Sequence, residues 1–296
     1  MTLQTFTNAM ETAKELLLFA GIDEPTREAR LLLSYVTGLP ASQIFIHPDR
    51  ELNSVEYKNL EGLVSRRLNH EPISHLLGRR EFWSLNFLVG PQVLDPRPAS
   101  ETLVETAFHY FNDHNASFSV LDLGTGSGCL VLSVLAERPH ASGLGIDVSS
   151  VALGVARQNA ILHSLSERVS FKYGDWGKNV NGEFDLILCN PPYIATSEMN
   201  DLASEIINFE PSIALFGGVD GLSAYRQLSD DIAKLLSPKG IAIIEYGQGK
   251  SKSVSKILKK VGLLQIDSNK DLSGITRCGV FSKKLTATKL KKGLET

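Results

Sequence analysis

Residues 119–128 read SVLDLGTGSG, an apolar run that ends in three glycines, each separated from the next by one residue. The apolar part is typical of a buried strand, and a helical pattern begins near Cys129. Glycines at a strand-to-helix turn let the backbone pass close to a ligand, and the first turn of a helix has free N–H groups. The stretch therefore predicts an α/β fold with a ligand loop formed by Gly124, Thr125, Gly126, Ser127 and Gly128.

Short apolar runs alternate with helical patterns on both sides of this loop. The clearest helical patterns cover residues 149–164 and 221–236. Such alternation is the signature of a doubly wound, mainly parallel sheet. The candidate strands are residues 119–124, 142–148, 169–175, 184–190, 240–247 and, less clearly, 264–268 and 275–282.

The N-terminal part of the chain has a different pattern of apolar residues. Residues 1–77 have apolar residues at helical spacing and predict a small helical bundle. Residues 78–99 are aromatic and β-rich, with a turn at Gly90-Pro91, and predict a β-hairpin that joins two domains. We expect the second domain to cover residues 100–283 and the basic residues 284–296 to form a solvated tail.

Composition and charge favour a globular cytoplasmic protein. The net charge of −3 neither favours nor excludes a nucleic-acid partner, although binding to a long stretch of DNA would need more basic surface. Cys129, Cys189 and Cys278 are far apart and lie among apolar neighbours, which fits buried thiols in a reducing compartment and predicts no metal site. We find no signal peptide and no apolar run long enough to span a bilayer, so we expect no membrane partner.

Asp147 ends the second candidate strand. A carboxylate at this position can accept hydrogen bonds from both hydroxyls of a ribose. Because ligands bind at the carboxyl ends of neighbouring parallel strands, Asp147 and the glycine loop are predicted to belong to one site. Three alternatives remain open here. The loop could be a tight turn without a ligand, or serve a dinucleotide despite its different glycine spacing, and Asp147 could simply cap the next helix.

Trp176 follows the third candidate strand in the sequence Tyr173-Gly-Asp-Trp176. An aromatic ring at this edge of the sheet can cover the face of an adenine. A tryptophan that only packs against its neighbours is the more common alternative, so the residue supports a nucleoside site only together with the glycine loop and Asp147.

Asn190, Pro191, Pro192 and Tyr193 follow the fourth candidate strand, on the same edge of the sheet as the glycine loop. Proline fixes φ and donates no hydrogen bond, so Pro191 leaves a rigid carbonyl outside the strand ladder. The side-chain oxygen of Asn190 is a second acceptor. Two fixed acceptors suit a planar NH2 group, which has two hydrogens to donate.

A planar NH2 nitrogen is a poor nucleophile because its lone pair is delocalised. Holding both hydrogens on two acceptors turns the lone pair toward an electrophile and favours the positive charge that develops on nitrogen. Tyr193 can pack against the flat face of such a group. The tetrapeptide therefore predicts chemistry on an amide or amino nitrogen, and the alternative is a proline-rich loop that merely terminates a strand.

These features together resemble the S-adenosylmethionine-dependent methyltransferases that modify amino or amide nitrogens. That resemblance covers adenine-N6 DNA methylases as well as protein-glutamine methylases. Longer stretches are more specific: PISHLLGRREFWSLNFLVGPQVLDPRPASETLVE, GDW and FEPSIALFGGVDGLSAYRQL closely resemble the bacterial peptide chain release factor N5-glutamine methyltransferases. The match extends from about residue 70 to residue 283.

The resemblance implies a Rossmann-like seven-stranded methyltransferase fold with a small N-terminal helical-bundle domain joined by a β-hairpin. It implies S-adenosylmethionine as cofactor and S-adenosylhomocysteine as product. The implied substrate is the glutamine of the Gly-Gly-Gln loop of class I release factors, methylated on N5 of its side chain, with an effect on translation termination and without direct nucleic-acid contact. The helical domain is implied to help recognise the release factor.

Carried over by position, the family's cofactor contacts fall on the five loop residues 124–128, Asp147, Trp176 and Asn190. Its substrate contacts fall on Asn190, Pro191, Pro192 and Tyr193, of which Asn190, Pro191 and Tyr193 carry the catalysis. The alternative functions are an adenine-N6 nucleic-acid methyltransferase, a binding module with this fold but no activity, and a nicotinamide dehydrogenase.

The chain departs from the family pattern before the glycine loop. It has Asp95 where an apolar residue is usual, and Ala99-Ser100 where Asp-Thr is usual. Arg97 and Glu101 flank this departure, and they are predicted either to shape the pocket wall or to form a structural ion pair.

Overall fold

The structure is a computed structural model that describes residues 4–283. Its contacts divide the chain into two units. The first unit contains the chain up to Arg79 together with a separate segment, Ala203–Phe209, and the second contains the remainder. Nothing in the sequence patterns indicated this separate segment. The predicted basic tail, residues 284–296, lies outside the described residues.

Helices form the first unit, as the apolar spacing of its sequence predicts. The buried residues of the first helix recur at helical spacing, at Phe6, Ala9, Ala13 and Leu17. The fourth helix begins with a capping box. The side chain of Asn53 accepts a hydrogen bond from the backbone amide of Glu56, and the side chain of Glu56 accepts one from the backbone amide of Asn53. The helices are α1 (Phe6–Phe19), α2 (Pro25–Thr37), α3 (Ala41–Ile46), α4 (Ser54–Leu68) and α5 (Ile73–Leu77).

A buried ion pair joins the helices of the first unit. Nε of Arg67 on α4 lies 2.5 Å from a carboxylate oxygen of Glu28 on α2, and both side chains are largely buried. Nη1 of Arg67 also lies 3.2 Å from Glu205, which belongs to the separate segment of this unit. Arg67 therefore connects two helices and the separate segment.

The predicted hairpin is made of β1 (Arg79–Phe82) and β2 (Leu85–Leu88), and all of it except Arg79 belongs to the second unit. The chain reverses at Trp83 and Ser84, whose φ angles are 51° and 56°. Positive φ at both central residues is the geometry of the two-residue turn that matches the twist of a hairpin. The predicted turn at Gly90-Pro91 exists, but it follows β2 and does not connect the two strands.

The rest of the second unit is an α/β structure whose seven strands form one sheet in the order β5-β4-β3-β6-β7-β9-β8. All neighbouring pairs are parallel except those that involve β9. The strands are β3 (Ser119–Leu123), β4 (Ser142–Asp147), β5 (Val169–Tyr173), β6 (Phe184–Cys189), β7 (Leu236–Glu245), β8 (Leu263–Lys270) and β9 (Thr276–Lys283).

All seven predicted strands are present, and the predicted Rossmann-like seven-stranded fold is confirmed. The predicted helices at 149–164 and 221–236 are also present, as α8 and α11, while the short helices between residues 196 and 215 were missed. The helices are α6 (Glu101–Tyr110), α7 (Cys129–Glu137), α8 (Ser150–Leu162), α9 (Ser204–Phe209), α10 (Ser212–Leu215), α11 (Ser223–Leu235) and α12 (Ser251–Lys260), of which α9 lies in the separate segment of the first unit.

Helices cover both faces of the sheet. Along β6, Leu186 and Leu188 pack into one apolar cluster, while Ile187 and Cys189 pack into the other. A strand that is buried on both faces is apolar throughout, which explains the unbroken run in its sequence. The two clusters hold the carboxyl ends of the central strands in a fixed relation to one another.

Candidate active site

A cleft opens at the carboxyl ends of the central strands. Because β3 lies between β4 and β6, the connections from these strands leave to opposite sides, and a crevice forms where the strand order reverses. The cleft contains about 780 Å³ of empty space, a volume that includes space open to solvent. The predicted site residues that line it are Gly124, Gly126, Asp147, Trp176, Asn190 and Pro192.

Five other predicted site residues do not line the cleft. The hydroxyl of Thr125 donates to Asp122 at 2.7 Å, inside the protein. The hydroxyl of Tyr193 donates to Glu245 at 3.3 Å. The direct ligand contacts predicted for these five residues stay predictions: Thr125, Ser127, Gly128, Pro191 and Tyr193.

Asp122 is a buried carboxylate that our sequence reasoning missed. It is fully buried in β3, and burial raises its pKa to about 7, against the lowering effect of the hydrogen bond from Thr125. The backbone amides of Gly124 and Thr125 both donate to the carbonyl of Ile146 at 2.9 Å. These bonds fix the loop to β3 and β4. An acidic residue inside an apolar strand was the signal that could have identified Asp122.

Asp147 connects the glycine loop to the end of β4. Its Oδ2 accepts from the amide of Gly126 at 2.9 Å, and its Oδ1 accepts from the amide of Ser149 at 2.8 Å. The side chain that caps α8 is that of Ser149, so the alternative in which Asp147 is the cap is wrong. A carboxylate oxygen accepts more than one hydrogen bond, so Asp147 retains acceptor sites for a ligand in the cleft.

Trp176 forms a wall of the cleft. Its ring lies 3.4 Å from the position that a Cβ would take on Gly124, and its Nε1 donates to Gln227 at 3.2 Å. Its backbone has a φ of 54°, an uncommon conformation for a bulky side chain. The ring is therefore held directly over the backbone of the glycine loop.

Asn190 belongs to a network of polar side chains. Its Nδ2 donates to Oγ of Ser100 at 3.1 Å, and Ser100 donates to Oε2 of Glu245 at 2.6 Å. The other oxygen of Glu245 accepts from Tyr193. Sequence reasoning missed Glu245, although an acidic residue at the end of an apolar strand was visible. Ser100 is one of the departures from the family pattern, and it retains the hydroxyl that the usual threonine would have.

Asp95 and the two residues that flank the Ala99-Ser100 departure have polar neighbours. Asp95 is buried and lies 3.8 Å from Nη1 of Arg80. Arg97 pairs with Glu210, whereas the carboxylate of Glu101 accepts from the amide of Trp83 at 2.8 Å. An ion pair between Arg97 and Glu101 is therefore wrong, and neither residue lines the cleft.

Two segments that line the cleft lacked a chemical signature in the sequence. One is residues 92–94, after the hairpin, and the other is residues 211–214. The amide of Ile194, directly after the tetrapeptide, donates to the carbonyl of Leu215 at 3.0 Å, and Ile194 forms a bridge with Phe216. Pairing of this kind positions residues 211–214 beside Asn190 and Pro192, and local sequence patterns do not report it.

Asn159 of α8 connects the hairpin to the glycine loop. Its side chain is fully buried, accepts from the amide of Leu88 at 2.7 Å, and donates to the carbonyls of Leu88 and Ser127 at 3.1 and 2.9 Å. One side chain thus satisfies three backbone groups. It holds β2 and the glycine loop to the same helix.

Replacing Asn159 with alanine is expected to lower the free energy of unfolding by on the order of 3 kcal/mol, because buried backbone groups lose their partners. Urea denaturation followed by circular dichroism measures the change. Gln158→Ala, which removes an exposed side chain from the same helix, is the control with a small expected effect. Equal losses for the two variants would contradict the role given to Asn159.

Comparison with known proteins agrees with this geometry. A family model for the PrmC N-terminal domain matches residues 8–78, and a model for the methyltransferase small domain matches residues 94–218. A release factor glutamine methyltransferase of Caulobacter vibrioides is 43% identical over 274 residues, covering 92% of this chain and 94% of that protein. The chain belongs to the release factor glutamine methyltransferase family.

Other relatives are also named as methyltransferases. The release factor glutamine methyltransferase of Rhodospirillum rubrum is 44% identical, covering 88% of this chain and 79% of that protein. A bifunctional methyltransferase of Rickettsia felis is 36% identical and matches over 55% of its own length. Among solved structures, the Thermus thermophilus 16S rRNA N2 G1207 methyltransferase, in complex with AdoMet and guanosine, has a TM-score of 0.50 and 16% identity, over 70% of this chain and 49% of that one. That likeness concerns the fold alone.

Two features are absent from residues 4–283. None of the helices in that range is long and apolar enough to cross a membrane. The same range contains no group of three or more histidine, cysteine, aspartate or glutamate residues arranged to hold a metal ion. The three cysteines are free thiols, and burial raises the pKa of each of them.

Proposed function

We propose that this protein transfers a methyl group from S-adenosylmethionine to the side-chain amide nitrogen of the glutamine in the Gly-Gly-Gln loop of class I peptide chain release factors. One observation carries the proposal: a single cleft is lined by the glycine loop, Asp147 and Trp176, and by Asn190 and Pro192 of the tetrapeptide. The first group of residues suits a nucleoside cofactor, and the second suits a planar NH2 group.

The residues of the cleft fit S-adenosylmethionine. Gly124 and Gly126 have φ angles of 75° and 54°, and no atom lies within 4 Å of the position of a Cβ on Gly126. The backbone there is open to a ligand. Asp147 offers acceptors for the ribose hydroxyls, and the ring of Trp176 offers a flat face for the adenine. When bound, this cofactor supplies an electrophilic methyl group on a sulfonium sulfur.

The tetrapeptide would hold the glutamine amide. Oδ1 of Asn190 and the carbonyl oxygen of Pro191 are the two acceptors for its two hydrogens, and within residues 4–283 no backbone amide donates to that carbonyl. The nitrogen attacks the methyl carbon, its lone pair forms the new C–N bond, and the electrons of the C–S bond stay on sulfur. S-adenosylhomocysteine is the product. The amide nitrogen, then cationic, loses its proton to water.

This chain contributes mainly the orientation of the two reactants. A well-oriented pair of reactants can lower a barrier by several kcal/mol, roughly 7 to 11 in the most favourable intramolecular cases. A strong general base is not needed before attack, because the proton leaves after the bond to the methyl group has formed. The two acceptors favour the positive charge that develops on nitrogen.

The helical unit is proposed to recognise the release factor. A single glutamine side chain offers too few contacts to distinguish one protein from another, so specificity needs a second surface. Because release factors act in translation, we propose that the enzyme works in the cytoplasm. We propose no direct contact with nucleic acid.

Incubation of the full chain with isotope-labelled S-adenosylmethionine tests the function. The expected result is one labelled methyl group on the glutamine of the Gly-Gly-Gln loop, located by peptide mass mapping. A release factor with glutamate in place of that glutamine lacks the NH2 group and is the matched control. Methylation of that control, or of DNA on adenine instead of the release factor, would contradict the proposal. Cofactor binding without methyl transfer would indicate a binding module, and binding of a nicotinamide cofactor instead would indicate a dehydrogenase.

A further inference from the structure

Three residues from distant parts of the chain form a line of hydrogen bonds that ends at the cleft. Asn190 donates to Ser100 at 3.1 Å, and Ser100 donates to Glu245 at 2.6 Å. Ser100 and Glu245 are 3% and 1% exposed, whereas Asn190 reaches the cleft. Burying a carboxylate costs free energy unless hydrogen bonds or opposite charges replace its contacts with water.

The direction of these bonds follows from the chemistry of the hydroxyl. Ser100 has a single hydrogen, and its distance of 2.6 Å to Glu245 is typical of a hydroxyl that donates to a carboxylate. Oγ of Ser100 must then accept from its other neighbour. Asn190 meets this requirement only with its Nδ2 edge, so its Oδ1 is left for the cleft.

Ser100 does not act as a helix cap, although it occupies a capping position. It directly precedes α6, where a serine usually accepts from the backbone of the first turn, and its side chain makes no such bond. Tyr193 donates to the second oxygen of Glu245. The hydroxyl of Ser100 thus bonds to Asn190 and Glu245, and α6 has no side-chain cap.

We propose that Ser100 and the ionised carboxylate of Glu245 are positioning residues that hold the amide of Asn190 with its Oδ1 toward the substrate NH2. The proposal rests on the function proposed above. Protonation of Glu245 removes the constraint, because a carboxylic acid can donate to Ser100, and Ser100 can then donate to Asn190. The amide of Asn190 would turn its Nδ2 toward the cleft, where two NH2 groups would face each other without an acceptor.

The surroundings of Glu245 raise the pKa of its carboxyl group, so that its protonation occurs near neutral pH. Burial raises its pKa to about 7, against the lowering effects of the hydrogen bonds from Ser100 and Tyr193 and of two arginine charges. Methyl transfer is therefore expected to rise with pH through about 7, as the carboxylate ionises. The titratable and charged groups that face Glu245 are Arg97, Cys129, Cys189, Tyr193, Tyr225, Arg277 and Cys278.

Kinetics of the full chain with S-adenosylmethionine and a release factor give the first test. Ser100→Ala and Glu245→Gln are each expected to lower kcat about tenfold, the value of one hydrogen bond, with little change in KM for the cofactor. Glu245→Gln is also expected to lose the acidic limb of the pH profile of kcat. Ser100→Thr retains the hydroxyl and is expected to keep most of the activity. Ser133→Ala, which removes a buried hydroxyl that has no hydrogen-bond partner within residues 4–283, is the control, with unchanged kcat expected.

A second measurement needs no methyl transfer. In protein labelled with ¹⁵N on asparagine side chains, the NH2 resonance of Asn190 is expected to shift between pH 5 and pH 9, with a midpoint near that of Glu245. The shift is expected to vanish in Ser100→Ala and Glu245→Gln. An NH2 resonance that is insensitive to pH and to both substitutions overturns the inference, even if the release factor is methylated. A coupled resonance in a protein that does not methylate the release factor would contradict the proposed function and leave the orientation of Asn190 supported.

Discussion

Replacing Asn190 with alanine is expected to lower kcat for methyl transfer by on the order of a hundredfold or more, the loss typical of removing one positioned partner from a transition state. Oδ1 of Asn190 is one of the two acceptors proposed for the glutamine NH2. Without it, the lone pair of that nitrogen is no longer held toward the methyl carbon. Steady-state kinetics with S-adenosylmethionine and a release factor measure the change.

Folding is expected to change little in this variant, because Asn190 is half-buried at the rim of the cleft. Asn181→Ala removes an exposed asparagine from the turn before β6 and is the matched control, with unchanged kcat expected. A folded Asn190→Ala protein with near-normal kcat would show that another group orients the substrate. Thermal unfolding by circular dichroism establishes that both variants are folded.

Replacing Asp147 with alanine is expected to raise the Kd for S-adenosylmethionine roughly 10- to 100-fold, because hydrogen bonds to a charged acceptor are worth about 1.5 to 3 kcal/mol. The variant loses the acceptors proposed for the ribose and also the bond that holds the amide of Gly126. Isothermal titration calorimetry measures the affinity directly.

Asp230→Ala, on the exposed face of α11, removes the same charge and is the control for Asp147. Its Kd is expected to equal that of the unmodified protein. Asp147→Asn retains one acceptor and is expected to be intermediate. Unchanged affinity in a folded Asp147→Ala protein would show that this carboxylate serves only the glycine loop and the start of α8.

The sheet and the main site residues were predictable because their signals are local. β6 is apolar at every position since both of its faces are covered, and the tetrapeptide follows it without interruption. The glycine loop and Asp147 follow strands that turned out to be neighbours, so their meeting at one edge followed from the rules for parallel sheets.

The walls of the cleft were not predictable in the same way. Residues 92–94 and 211–214 have no titratable or glycine-rich pattern, and they reach the cleft through turns and a bridge between Ile194 and Phe216. Local periodicity reports which face of an element is buried, but not which loop lies next to it. Short helices such as α10 were also not predicted, because its four residues are too few to show a helical period.

The sequence by itself determined the type of fold and the chemistry of its loops, because apolar spacing and the side chains of a few adjacent residues carry that information. The tertiary structure alone decided which side chains support Asn190. Ser100 lies 90 residues from Asn190 in the chain and 145 residues from Glu245. Asn190 and Glu245 lie side by side because β6 pairs with β7 in a register that sets Cys189 opposite Ile244, one residue before Asn190 and one before Glu245. Strand order and register are properties of the whole packed sheet, so no local pattern contains them.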